Sequence, residues 1–260
     1  MKKILILLFV SLLVLSFSVE KEIPYEKFQE LTFDNVNYIL NSKTDDIDND
    51  GVNENIMIIG ELTTDDSPFV RNIKLVISNR KETFILYKNA IEDGYETKIE
   101  LADFNGNSKK DILIKNYTGG SGGYINVKLL SFNGTYLEEL FSSEKEYYNL
   151  EGNFESDFNA KIKLEDYFEY ELNLDHKKET YIEGEFYSDD GEVLTDSSEL
   201  MIGGISQFEH MKWADKNVIR YTKSVSGFYH ADRLGYLELI LDFTEGEMKI
   251  NQAYFNIILY

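Results

Sequence analysis

The strongest signal of residues whose types and spacing could do chemistry together is a short acidic stretch, Asp46-Ile47-Asp48-Asn49-Asp50-Gly51-Val52-Asn53-Glu54. Carboxylates at its first, third and fifth positions can converge on one hard cation, and Gly51 at the sixth permits the sharp turn that this requires. The backbone carbonyl of Val52 at the seventh position and the carboxylate of Glu54 at the ninth complete an oxygen shell suited to Ca2+. Four carboxylates gathered around one point repel one another unless a cation sits between them. An EF-hand would carry a bidentate glutamate at the twelfth position and then a helix. Here Met57 occupies that place, inside Ile56-Met57-Ile58-Ile59, which reads as a buried strand. The loop opens a strand and is not an EF-hand.

A second copy runs Asp103-Phe104-Asn105-Gly106-Asn107-Ser108-Lys109-Lys110-Asp111. Oxygen-bearing side chains again stand at positions one, three, five and nine, with the Lys109 carbonyl at seven, and the strand-like Ile112-Leu113-Ile114 follows. Glycine has moved to position four, and Asn105 and Asn107 replace two carboxylates. With fewer negative charges and with Lys109 and Lys110 nearby, this loop is expected to bind calcium more weakly than the first. One such loop alone could be a solvated acidic turn; two at matched spacing argue for a shared ligand.

The repeat continues beyond the loops. Asn72-Ile73-Lys74-Leu75-Val76 parallels Asn126-Val127-Lys128-Leu129-Leu130, and Gly235-Tyr236-Leu237-Glu238-Leu239 parallels Gly123-Tyr124-Ile125-Asn126-Val127. The third copy puts Glu209 to Asn217 in the place of a metal loop, with Met211 and Trp213 where ligands belong, so that site reads as lost. Repeats of this period point to a repeat architecture. The two loops, their strands and the Gly119-Gly120-Ser121-Gly122-Gly123 turn resemble secreted bacterial proteins of the FG-GAP/VCBS repeat type, relatives of the N-terminal β-propeller of integrin α chains. Residues 227–235 resemble a stretch near the C-terminus of such proteins. The resemblance covers roughly 36–143 and 206–260, and it implies blades of antiparallel strands with calcium stapling the turn at the start of a blade.

The rest of the chain agrees with an all-β fold. Eighteen tyrosines and 17 phenylalanines against two prolines suit pleated, half-buried surfaces. Ala160 to Leu164 and Phe168 to Leu174 alternate apolar and polar residues, the pattern of half-buried antiparallel strands. Asn133-Gly134 reads as a hairpin turn, and Asp175 to Lys178 and Ser188 to Gly191 as connecting turns. The organisation expected is a signal peptide over 1–18, a lead-in over 19–35 and two calcium-loop repeats over 36–143. A diverged β-rich segment over 144–205 and a third repeat over 206–260 complete it, as a partial or diverged propeller.

Composition narrows the function. A formal net charge of −21 repels phosphate backbones and anionic lipid, so no nucleic-acid partner is expected, and no membrane contact beyond the signal segment. With no cysteine, disulfides, thiolate metal sites and cysteine nucleophiles are all excluded. Lys2 and Lys3, the apolar run Ile4 to Phe17 and the Ser16-Phe17-Ser18 end have the form of a cleavable export signal, which places the protein in the envelope or outside the cell. There, calcium is plentiful enough to fill weak sites.

Two catalytic readings compete with this one. Gly119 to Gly123 matches the G-x-S-x-G nucleophile elbow, which would make Ser121 the nucleophile of a secreted hydrolase with Asp232, His210 or His230 as partners. An elbow requires a helix after the serine, and Tyr124 to Leu129 alternates as a strand instead. A carboxylate pair for glycoside hydrolysis is the other version, and nothing selects a pair among 47 acidic residues. Tyr229, His230, Asp232 and Arg233 form the other polar cluster, read as a network anchoring a loop. The expectation is a calcium-binding protein with a binding or structural role, not an enzyme, whose partner is a cell-surface protein or glycan.

Overall fold

A computed structural model describes residues 22–24, 37–64, 67–78, 83–145, 147–213, 216–244 and 247–258. The signal segment 1–18 and most of the lead-in lie outside these residues. Strands account for most of what is described, all of them paired antiparallel, with one short helix. No helix among the described residues is long and apolar enough to cross a membrane.

The first sheet holds β1 (Glu22–Pro24), β2 (Asn37–Asp45), β3 (Glu54–Leu62), β4 (Phe69–Ser78), β5 (Thr83–Tyr87), β6 (Gly94–Ala102), β7 (Asp111–Tyr117), β8 (Ile125–Phe132) and β9 (Leu137–Ser142). Within it β2-β3-β4-β5 and β6-β7-β8-β9 are two consecutive four-stranded meanders. Their strands pair with each other where β4 meets β6, through Phe69 opposite Tyr95 and Val70 opposite Gly94. The acidic loops occupy the same place in each meander, between its first and second strands. β10 (Leu150–Glu155), β11 (Asn159–Leu164) and β12 (Phe168–Asn173) make a small sheet. A 3-10 turn (Asp175–Lys177) and α1 (Lys178–Glu183) follow it. The third meander is β13 (Met201–Trp213), β14 (Lys216–Ser226), β15 (Arg233–Thr244) and β16 (Glu247–Ile257).

Period-2 alternation explains how these sheets stack. On β7, Ile112 and Ile114 face a core shared with Ile56, Ile58, Leu75 and Ile77, while Leu113 faces a second core on the other side. Val127 and Leu129 on β8 join that second core, where Phe208, Ile219, Tyr221 and Leu239 of the C-terminal sheet close over them. Strands covered on both faces read as unbroken apolar runs, as Ile112-Leu113-Ile114 of β7 does, whereas β8 also buries Asn126 and Lys128. A third core of Phe154, Phe158, Tyr181, Tyr187 and Leu234 ties the small sheet and α1 to the base of the C-terminal one.

All-β antiparallel architecture is what the alternating runs imply, and β11, β12 and the β8–β9 hairpin at Asn133-Gly134 fall where the pattern puts them. The glycine-rich turn joins β7 to β8 directly, with Gly119, Gly120 and Gly123 at positive φ. Asp175 to Lys178 does more than turn: it leads into α1, whose Tyr181 is fully buried. The described sheets close into neither a barrel nor a propeller. In place of a third loop, β13 and β14 pair without a break from Glu209 opposite Arg220 to Trp213 opposite Lys216. The ladder therefore runs through the region where the other two meanders have their loops.

Candidate metal centre

Both acidic loops are held by the same scheme of hydrogen bonds. In the first, the Ile47 N–H donates to Glu54 Oε2 at 3.1 Å, so positions two and nine close the base of the loop. In the second, the Phe104 N–H donates to Asp111 Oδ2 at 3.0 Å, again from position two to position nine. Asp48 Oδ1 accepts from the Asp50 N–H, and Asp50 Oδ1 from the Val52 N–H. Asn105 Oδ1 and Asn107 Oδ1 accept in the same way from the Asn107 and Lys109 N–H groups. The first-position carboxylates, Asp46 and Asp103, each accept the N–H of position six, Gly51 or Ser108.

This scheme removes the apparent difference in glycine position. Positions four and six are left-handed in both loops: Asn49 at φ 61° and Gly51 at 85°, Gly106 at 76° and Ser108 at 70°. Each loop spends its glycine on one of two equivalent left-handed sites and places a small polar residue, which tolerates that region best after glycine, on the other. Each also drops its second residue inward: Ile47 is 0% exposed in the first core and Phe104 1% in the second.

The loops lie against one another. Asn49 Nδ2 donates to the Ser108 carbonyl at 2.6 Å, the Lys110 N–H donates to the Ile47 carbonyl at 3.2 Å, and Lys110 Nζ pairs with Asp45 Oδ2 at 2.5 Å. The β8–β9 turn packs over the first loop, where a Cβ on Gly134 would stand 2.6 Å from Asp48 Oδ2.

Ligand atoms of Asp46, Asp48 and Asp50 all lie within 4.8 Å of one another. Calcium–oxygen distances limit two ligands of one ion to a separation of about 5 Å, so the three side chains fit a single Ca2+. Glu54, expected as a fourth carboxylate ligand, is not part of that group: it is only 2% exposed, accepts from the Ile47 N–H, and its carboxyl is pushed up. Burial is the main cause; the Ile47 N–H opposes it, and Asp48, Asp50 and Asp46 add repulsion. A cation among the three aspartates would offset that repulsion. In the second loop the polar atoms already answer one another. Asn105 Nδ2 donates to Asp111 Oδ1 at 3.1 Å, and Asp111 Oδ2 takes two backbone N–H groups. Burial nevertheless pushes Asp111 up to about 6, against the Ser131 hydroxyl and those N–H groups. Asp103 accepts two N–H groups and belongs to no three-carboxylate group among the described residues.

The catalytic candidates are scattered. Ser121 is exposed in a turn followed by β8, with no helix after it. His210 packs on Phe104 at 4.6 Å between ring centroids and shares a hydrogen bond with Asn217, while His230 is exposed. Asp232 is 3% exposed and fully engaged: it accepts from Lys177 Nζ and Tyr181 Oη, each at 2.7 Å, and from the Phe228 N–H. That network straps the 227–232 loop to α1. Its partners lie too far away in the chain for local spacing to reveal them.

Residues 148–256 match the family model described as the YybI C-terminal domain. The chain is similar to YybI. It is 26% identical to the uncharacterized protein YybI of Bacillus subtilis strain 168, over 82% of this chain and 83% of that one. No solved structure matches. The likeness to FG-GAP/VCBS repeats and integrin propellers is corrected by these comparisons, since the model that matches is YybI's and none of the repeat family does. The reason is physical. Oxygen ligands at alternate positions with left-handed residues between them are what any short cation or Asx-turned loop needs, so the motif carries chemistry but little descent. The family-model match begins beyond both loops, whereas the likeness to the Bacillus subtilis protein covers most of the chain.

Proposed function

We propose that this is an exported, calcium-binding protein with a binding or structural role at or outside the cell surface. The observation that carries the reading is the convergence of Asp46, Asp48 and Asp50 oxygens within 4.8 Å. In this reading Asp46, Asp48 and Asp50 hold the ion, with Glu54 and the Val52 carbonyl completing the shell. The ion staples β2 to β3 at the end of the first meander. Asp103, Asn105, Asn107, Asp111 and the Lys109 carbonyl form a weaker second site, whose polar atoms would have to exchange partners to accept an ion. The three four-stranded meanders are blade-like units of a partial, diverged propeller, a finer description than antiparallel sheets alone. Export follows from the N-terminal segment, and the partner is a cell-surface protein or glycan.

The test is thermal unfolding with millimolar calcium and with chelator. Binding to the folded state alone should raise stability by RT ln(1 + [L]/Kd), about 2.7 kcal/mol at a hundredfold excess over Kd. Magnesium should substitute poorly, because it demands octahedral geometry and sheds water reluctantly. An unchanged melting temperature in chelator would reduce the loops to turns and end the calcium reading.

A further inference from the structure

The same tripeptide, Phe-Asn-Gly, occurs twice: as Phe104-Asn105-Gly106 in the second acidic loop and as Phe132-Asn133-Gly134 at the β8–β9 turn. An asparagine followed by glycine has a reaction open to it, because with no Cβ in the way the glycine amide nitrogen can close on the carboxamide carbon. The fold builds the two pairs differently. At Asn105 each group that would take part is held. The Gly106 N–H donates to Asp103 Oδ1 at 2.7 Å, Asn105 Nδ2 donates to Asp111 Oδ1 at 3.1 Å, and Asn105 Oδ1 accepts from one N–H, that of Asn107. The Asn105 side chain is half-buried.

At Asn133 the parts of an acyl transfer are in place. Its Oδ1 accepts from the Thr135 N–H and from the Tyr136 N–H, each at 3.0 Å. Two backbone donors on one carbonyl oxygen are the arrangement of an oxyanion hole, aimed at the atom where charge develops when the carbon is attacked. The nitrogen that would leave, Asn133 Nδ2, and the nitrogen that would attack, that of Gly134, have no hydrogen-bond partner among the described residues. Gly134 stands at φ 89°, and both residues are exposed, so water reaches them.

We propose that Asn133 is a site of spontaneous deamidation. The Gly134 nitrogen bonds to Asn133 Cγ, its proton passes through water to Nδ2, and the Cγ–Nδ2 bond breaks to release ammonia. Water then opens the cyclic imide. Addition at Cγ leaves an aspartate, and addition at the main-chain carbonyl leaves an isoaspartate, whose backbone runs through the former side chain. Either way an amide is exchanged for a carboxylate, and water is all that is consumed. The position gives the change a consequence. Gly134 packs on Asp48, whose Oδ2 would lie 2.6 Å from a Cβ there. The new negative charge, and in the isoaspartate an extra backbone carbon, therefore arrive beside the first acidic loop. The inference goes beyond the calcium reading and does not rest on it.

The test is incubation of the full chain at mildly alkaline pH, folded in buffer and unfolded in urea, followed by peptide mapping with mass spectrometry and by isoaspartyl methyltransferase labelling. In buffer Asn133 should gain the amide-to-acid mass increment, with isoaspartate among its products. Asn105 should convert at least about tenfold more slowly there, the effect of the Gly106 N–H bond alone. In urea, where only the shared tripeptide remains, the two should convert at similar rates. Thr135→Pro removes one of the two donors to Oδ1 and should slow Asn133 about tenfold in buffer but not in urea. Asn133→Gln should abolish the isoaspartate label that the folded protein acquires. An Asn133 that converts no faster than Asn105 in buffer, or more slowly in buffer than in urea, overturns the proposal, and so does a label that survives Asn133→Gln. Each of these outcomes leaves the chelator test of the loops standing.

Discussion

The two acidic loops share a backbone and differ in what fills it. Both carry left-handed residues at positions four and six, the same N–H donations to positions three, five and nine, and a buried plug at position two. The first surrounds its centre with carboxylates that repel one another. The second replaces two of them with asparagines, and one of these, Asn105, donates its amide to Asp111. An amide there contributes positive partial charge where a cation would otherwise be needed. One frame can therefore be held by an ion or by its own side chains, and charge count decides which.

The largest effects should come from the shared part. Phe104→Ala is expected to cost about 3–5 kcal/mol and Ile47→Ala about 2–5 kcal/mol, since each empties a filled position in a core. Both losses should appear equally in calcium and in chelator, read as urea midpoints; a plug whose loss matters only in calcium would make the ion, not packing, the anchor of that loop.

The difference between the loops should appear next. Asp48→Ala should remove most of the calcium-dependent increment, about 2.7 kcal/mol at hundredfold excess, whereas Asn105→Ala should remove little of it. Melting of both variants with and without chelator checks this, and equal losses would abolish the distinction drawn here.

Glycine placement gives a smaller and reciprocal effect. Gly51→Ala should destabilise by about 1–2 kcal/mol, the left-handed cost of a Cβ, because nothing else lies within 4 Å of that position. Ser108→Gly should relieve part of the same cost in the second loop, stabilising it by about 0.5–1 kcal/mol. Destabilisation by Ser108→Gly in denaturant titrations would show that the serine earns its place by contacts. Smallest of all, Lys110→Met breaks the partly exposed pair with Asp45 and should cost about 0.2–1 kcal/mol in low salt and less in high salt.

Much of this was legible in the chain itself. Alternation in 160–164 and 168–174 marked strands because side chains on a pleated backbone point to opposite faces at every step. The ligand spacing of both loops was visible because a loop that wraps one point must offer oxygens at alternate residues. Family likeness was misread from the same loops, for a motif shaped by cation chemistry carries little about descent, and the family model that matches lies over 148–256. The equivalence of Gly51 and Gly106 was hidden, since spacing records residue types and not φ.

The alternating strands, the Asn133-Gly134 hairpin, the acidity and the two nine-residue loops could be read from the chain, because each depends on residues within a few positions of one another. Only the tertiary structure decided that the loops touch through Asn49 and Ser108, and that Lys177 and Tyr181 answer Asp232. It also brought the Gly203-Gly204 bulge of β13 beneath Tyr124. These contacts join residues about 50 to 80 positions apart. They are set by how two sheets close over Leu113, Leu129 and Phe208, a packing choice that no local pattern encodes.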